Sequence, residues 1–158
     1  YASPYSLTIS DGEFVCGGKR YAHFVVYKDG TVDIVDNVSD DMTNSVWIAH
    51  GGFQLLMKDG KDLIGNFGLQ DIHPRLGVGI TPDKKTLYLL AVDGRLMGWS
   101  DGANLPDMVN IFKAVGVSDA INMDGGGSTS LCVAVNGELK VLNFTKNRET
   151  ALNICIYE

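Results

Sequence analysis

The sequence predicts an α+β fold built on a mixed, mostly antiparallel sheet with few helices. Three observations predict it: Asp-Gly and Asn-Gly pairs recur between apolar segments, one apolar run shows no polar alternation, and helical spacing is confined to one segment. At 158 residues the chain has the size of one domain, expected to span 1–158, and can bury a core without disulfides or a structural metal.

The hairpin signal is clearest where Phe24-Val25-Val26-Tyr27 and Thr31-Val32-Asp33-Ile34-Val35 flank Asp29-Gly30. The same turn chemistry, which supplies the positive φ of a tight hairpin, recurs at Asp11-Gly12, Asp59-Gly60 and Asn136-Gly137. The run Thr86 to Val92 is apolar without alternation and reads as a central strand covered on both faces, delivering Asp93-Gly94-Arg95 at its end. Leu105, Met108, Val109, Phe112 and Val115 recur at helical spacing, with Pro106 near the start and Gly116 at the end, so the main helix is expected at about 105–116. Ala120 to Met123 reads as a short strand entering a glycine-rich turn, and the polar stretch Val38 to Ser45 as an exposed loop. Cys16, Cys132 and Cys155 sit in apolar strand-like runs without metal-ligand spacing, which predicts buried thiols, leaves room for one disulfide and argues against a zinc site.

Composition excludes several classes. A net charge of −6 argues against a broad phosphate-backbone interface, so no nucleic-acid partner is expected. No apolar run approaches the ~20 residues of a membrane span. The chain starts at Tyr1 with neither an initiator Met nor a targeting segment, which predicts that the natural N-terminus was removed.

The most informative chemistry lies in Asp124-Gly125-Gly126-Gly127-Ser128-Thr129. Three residues without Cβ let a backbone approach a ligand and turn its amides to an anion, and Ser128 and Thr129 add hydroxyls. The pattern is not a Walker loop, and a plain turn between strands stands as the alternative. Asn122 and Asp124 lie on one face by strand alternation, where Asp124 either forms a turn hydrogen bond or does chemistry. Asp93-Gly94-Arg95 presents a carboxylate and a guanidinium at a strand end, or forms a turn with a surface ion pair. His73-Pro74-Arg75 is an extended strand entry. Only four arginines occur, Arg20, Arg75, Arg95 and Arg148, and two of them fall in these motifs. The guanidinium is the side chain best matched to two-point phosphate binding. His23 and His50, inside strand-like segments, are read as structural.

In order, Ala49-His50-Gly51-Gly52-Phe53-Gln54-Leu55-Leu56, His73-Pro74-Arg75, Val92-Asp93-Gly94-Arg95, a helix, and Asn122-Met123-Asp124-Gly125-Gly126-Gly127-Ser128 resemble the phosphodiester glycosidase family. Asn147-Arg148-Glu149 before the last apolar segment is a weaker similarity, and the resemblance covers most of the chain from about Val46. The family usually carries an Asn-Gly-containing segment ahead of Tyr5 to Ile9, absent here. The resemblance therefore implies a companion chain, a removed N-terminal segment or a reduced relative. Leu76 stands where the family often has Thr.

The resemblance implies a hydrolase that cleaves a glycosyl-1-phosphodiester at the anomeric carbon and releases a sugar. Its substrate is a glycosyl phosphate or carbohydrate, and the resemblance favours an exported or extracellular protein; no cofactor is expected, and since no repeated acidic loop resembles an EF-hand, no obligatory metal is expected either. Asp93 and Asp124 are the expected catalytic carboxylates, activating water or stabilising an oxocarbenium-like state. Arg75 and Arg95 would hold the phosphate with Gly125, Gly126, Gly127 and Ser128, while His73, Asn122, Thr129 and Arg148 complete the substrate contacts. Two other readings are open: a non-catalytic carbohydrate or phosphosugar-binding module, and a structural or assembly domain in which the glycine triplet is only a turn.

Overall fold

The computed structural model describes residues 6–18, 21–65, 71–144, 149–150 and 152–157. Strands β1 (Thr8–Ser10), β2 (Glu13–Cys16), β3 (His23–Tyr27), β4 (Val32–Val35) and β5 (Val46–Gly51) form a first sheet in the order β2-β1-β5-β3-β4. Strands β6 (Gln54–Lys58), β7 (Lys61–Asp62), β8 (Arg75–Ile80), β9 (Leu87–Val92) and β10 (Asp119–Asn122) form a second in the order β7-β6-β10-β8-β9. A separate hairpin joins β11 (Cys132–Val135) to β12 (Glu138–Val141). Helix α1 (Asp40–Thr43) precedes β5, and α2 (Leu105–Ala114) precedes β10.

The fold is thus largely β with two helices among the described residues, and every strand pair is antiparallel. The one mixed sheet expected from sequence is instead two antiparallel sheets and a hairpin, and a parallel contact occurs at the isolated Ser6–Gly18 bridge. All four anticipated turns close hairpins. Asp11, Asp59 and Asn136 take left-handed φ of 52°, 50° and 53°, as two-residue turns matched to strand twist require. At Asp29 the carboxylate instead accepts from the Thr31 N–H and hydroxyl, at 2.9 and 2.7 Å, and stabilises a longer loop.

Strand alternation sorts the apolar side chains into layers. Ala22, Phe24 and Ile34 of the first sheet's strands and flanks meet Val78, Ile80, Ile121 and Met123 in a core between the sheets. On the other face of the second sheet, α2 buries Leu105, Met108, Val109 and Phe112 against Leu56 and Ala120. A reciprocal capping box between Asn104 and Asp107 fixes the start of α2, a contribution of about 1 kcal/mol. Leu7, Ile9, Val25, Val46 and Ala49 form a third cluster, which Val38 and Met42 cover. The stretch from Val38 to Ser45 is therefore not simply an exposed loop: it contains α1, and Val38 is fully buried.

Two further expectations are corrected. The apolar run Leu87–Val92 is an edge strand, not a central one. Its Tyr88, Leu90 and Val92 face the α2 core while Leu87 and Leu89 face the inter-sheet core. Unbroken hydrophobicity reports covered faces and says nothing of the neighbour at the side. Cys132 and Cys155 are exposed and Cys16 half-buried, all three as free thiols. The β11–β12 hairpin that carries Cys132 is exposed along both strands, so apolar residues there find no sheet to cover them.

At one end the sheets are joined by charge. The Lys58 ammonium on β6 lies 2.9 Å from Asp33 on β4 and 3.0 Å from Asp119 on β10, and also donates to the Ile34 carbonyl at 2.8 Å. Asp119 Oδ1 in turn accepts the Asp59 N–H at 2.7 Å.

His23 is fully buried on β3, and neither ring nitrogen has a hydrogen-bond partner among the described residues. Burial pushes its pKa down to about 4, the charge of His50 adds to the effect and Asp36 opposes it. In the unfolded chain the imidazole returns to about 6.5, so between these values the unfolded state takes a proton that the folded state refuses. Stability is thus present above pH ~6.5 and falls by about 3 kcal/mol as the pH drops towards 4. Urea unfolding across that range is expected to show the fall, reduced in His23→Gln. Burial also lowers the pKa of His50, which contributes in the same direction. An equal fall in the variant would remove His23 from this role.

Candidate functional site

The ends of β10 and β9 and the starts of β8 and β6 share one edge of the second sheet. Asn122 is paired with Gly77 on one side and Gln54 on the other, and Arg75 with Val92. Beyond the ladder the same alignment continues: Met123 N–H donates to Leu76 O at 2.8 Å, and Gly126 N–H to Pro74 O at 2.7 Å. The glycine-rich turn therefore lies along His73-Pro74-Arg75. A Cβ on Gly125 would stand 2.9 Å from Pro74 O, so the close approach depends on glycine there.

On its other side His73 forms a two-way bridge with Ala103, with His73 N to Ala103 O at 3.2 Å and Ala103 N to His73 O at 2.9 Å. The loop from Asp93 to Ala103 is thereby folded against the strand entry. A Cβ on Gly102, whose φ is +118°, would lie 2.4 Å from the His73 carbonyl carbon and oxygen. Arg95 adopts a left-handed φ of 58° and brings its guanidinium to 3.2 Å from His73 Nδ1. The same guanidinium lies 3.5 to 3.9 Å from where a Gly126 Cβ would be.

Arg75 is held from behind. Its Nε donates to Ala103 O at 3.0 Å, and one terminal nitrogen donates to the Asp71 carbonyl. Burial lowers its pKa, the Asp71 charge opposes this, and the positive Arg95 adds to it. Two guanidinium groups thus stand close enough to repel each other, and among the described residues neither forms an ion pair.

The carboxylates differ. Asp93 Oδ1 accepts the Phe144 N–H at 2.9 Å, and Asp93 O accepts the Ser100 hydroxyl at 2.6 Å, so Asp93 fastens the end of the β11–β12 hairpin to the Arg95 loop. Asp124 is exposed, and among the described residues its side chain has no hydrogen-bond partner. Asn122 and Thr129 are buried at 6% and 2% exposure, and among the described residues Asn122 Oδ1 and Thr129 Oγ1 have no hydrogen-bond partner. Such orphaned atoms are rare and mark a place where another polar group belongs. Gly126–Ser128 form a single 3-10 turn in which Ser128 N donates to Gly125 O at 3.0 Å and Thr129 N to Gly126 O at 3.3 Å.

His73, Arg75, Asp93, Arg95, Asn122, Asp124 and the Gly125–Thr129 turn therefore meet at one sheet edge. Arg148 lies outside the described residues. Among the described residues no three His, Cys, Asp or Glu side chains gather closely enough to hold a metal ion, and no helix is long and apolar enough to cross a membrane.

Residues 1–157 match the phosphodiester glycosidase family. The chain belongs to this family. It is similar to the SPbeta prophage-derived uncharacterized protein YomE of Bacillus subtilis (strain 168), with 32% identity over 119 residues, 69% of this chain and 18% of that protein. Among solved structures it resembles the zebrafish N-acetylglucosamine-1-phosphodiester alpha-N-acetylglucosaminidase catalytic domain, auto-inhibited by its pro-peptide, with a TM-score of 0.72 and 28% identity. That match covers 97% of this chain and 56% of the zebrafish chain. Membership supports a relationship to hydrolases of glycosidase type.

Within this glycosidase fold, sequence reasoning missed Gly102, Ala103, Asn143 and Phe144. Asn143 accepts the Leu131 N–H at 2.7 Å and donates to Thr129 O at 3.1 Å, staking the hairpin base to the glycine-rich turn. Nothing in the order of residues marks these roles, since each depends on a partner distant in sequence.

Proposed function

We propose that the chain hydrolyses a glycosyl-1-phosphodiester at the anomeric carbon, releasing a sugar and a phosphomonoester. The observation that carries this reading is the pair of close guanidinium groups, Arg75 and Arg95, without an ion pair among the described residues and set beside a glycine-rich turn. Two adjacent cations repel until an anion lies between them, and a phosphodiester offers two oxygens to guanidinium forks.

In this reading the phosphate sits against Arg95 and the remaining terminal nitrogen of Arg75. Gly126 N–H is already taken by Pro74 O, so the amides of Gly125 and Gly127 flank the anion. Water attacks the anomeric carbon, the bond from that carbon to the phosphate oxygen breaks, and the phosphomonoester leaves with the bonding pair. Its charge is stabilised by the two arginines, so little acid assistance is needed. Asp124, exposed and without a hydrogen-bond partner among the described residues, accepts the proton of the attacking water or stabilises the oxocarbenium-like state. Asp93 shapes the loop that presents Arg95. Asn122 and Thr129 give the sugar polar partners.

One observation favours a second reading, a phosphosugar-binding module without turnover: one oxygen of Asp93 is already committed to Phe144 N–H. Turnover assays with a sugar-1-phosphodiester separate the two.

Arg75→Lys tests the phosphate contact. An ammonium cannot hold Ala103 O and Asp71 O while presenting a planar edge to the ligand, so KM is expected to rise about tenfold or more. Unchanged KM and kcat would remove Arg75 from the site.

A further inference from the structure

Beside Asn122 the seam between the sheets opens into a cleft of about 330 Å³, lined among others by Tyr21, Asp36, Phe53, Gln54 and Leu63. We propose that this cleft is a saccharide subsite that takes one uncharged pyranose ring of the substrate. The proposal rests on the phosphodiester reading above and adds where the sugar side lies.

Phe53 N–H donates to Asn122 O at 2.8 Å, and Gln54 is the direct cross-strand partner of Asn122. Side chains so paired stand ~4.5 to 5.5 Å apart on one face of a sheet. The cleft thus lies next to the backbone of Asn122, at the same sheet edge as Arg75 and the glycine-rich turn.

Phe53 is 51% exposed, and its ring meets Tyr21 edge-to-face at a centroid distance of 6.0 Å, which fixes an aromatic surface at the opening. A pyranose presents apolar C–H faces to such a surface and a rim of hydroxyls that both donate and accept. Asp36 accepts, and Gln54 does both. The phosphate of a phosphodiester, which carries a negative charge and only accepts, would face the Asp36 charge here. The described lining residues include no Lys or Arg. A volume at the lower end of the ~300 to 1,000 Å³ of ligand cavities suits one ring rather than an oligosaccharide.

The test uses methyl α-D-glucopyranoside, methyl N-acetyl-α-D-glucosaminide and inorganic phosphate as probes on the whole chain, read by NMR titration. One of the glycosides is expected to shift the Tyr21 and Phe53 ring signals. Phe53→Ala is expected to weaken its binding about tenfold, Asp36→Asn to weaken it less, and both to leave phosphate binding unchanged. Both positions are at least half-exposed or exposed, and thermal unfolding verifies that the variants fold. Failure of both glycosides to shift these signals, equal glycoside affinity in Phe53→Ala, or displacement of the glycoside from these rings by phosphate would overturn the subsite. Glycoside binding at Phe53 without any phosphodiester turnover would uphold the subsite and refute the hydrolytic reading. Turnover with an unchanged KM in Phe53→Ala would refute the subsite alone.

Discussion

Asp124→Asn is expected to lower kcat on a glycosyl-1-phosphodiester by ~100-fold or more while leaving affinity for a sugar-1-phosphate near that of the unaltered chain. The substitution keeps the shape of the side chain and removes only its charge and basicity. Because Asp124 is exposed and has no hydrogen-bond partner among the described residues, folding should be insensitive to it. Asp93→Asn serves as the contrast: its carboxylate holds Phe144 N–H, so its loss should register in thermal stability as well as in turnover. Near-normal kcat in Asp124→Asn would exclude Asp124 from the chemistry and leave it as a turn residue.

Gly102→Ala is expected to cost about 3 kcal/mol or more, since it combines a backbone conformation disfavoured for alanine with a severe clash. At φ +118° the new Cβ would press into the His73 carbonyl at 2.4 Å. Relief requires the His73–Ala103 bridge to open, and Ala103 O is also the acceptor for Arg75 Nε. A fall of roughly 6 to 12 °C in Tm should therefore accompany weakened phosphate binding. Calorimetry and phosphate titration on the same sample check this, and an unchanged Tm would show that the loop does not depend on that contact.

Local structure was legible in the sequence because it rests on neighbouring residues. Asp-Gly and Asn-Gly pairs set between apolar runs close the four anticipated hairpins, and helix α2 carries its own cap and periodicity. The division into two sheets was not legible, because β6 pairs with β10 across more than sixty residues and no local signal records it. The edge position of β9 and the exposed hairpin were missed for the same reason: apolar side chains do not reveal what covers them. At the candidate site the motifs could be read in order, and they do meet at one sheet edge. Their division of labour could not be read. That Arg75 is held by Ala103 O and Asp93 by Phe144 N–H follows only from long-range packing. Tyr21 and Asp36 carried no motif at all, and Phe53 stood in the Gly-Gly segment without an assigned role.

The ion cluster of Lys58 with Asp33 and Asp119 acts as a pivot. It joins the two sheets at the start of β10, while Asn122, at the other end of that strand, is bonded to Phe53 and paired with Gln54, which line the open cleft. Between them runs a lever arm of about 10 Å, taking ~3.3 Å of rise per residue. A relative tilt of the sheets by only about 5° around that pivot would displace the Asn122 end by about 1 Å along this arm. That is enough to separate a fitted ligand contact from a lost one. The fit between the first-sheet wall of the cleft, Tyr21 and Asp36, and its second-sheet wall at Gln54 is therefore set in part by a lysine remote from both.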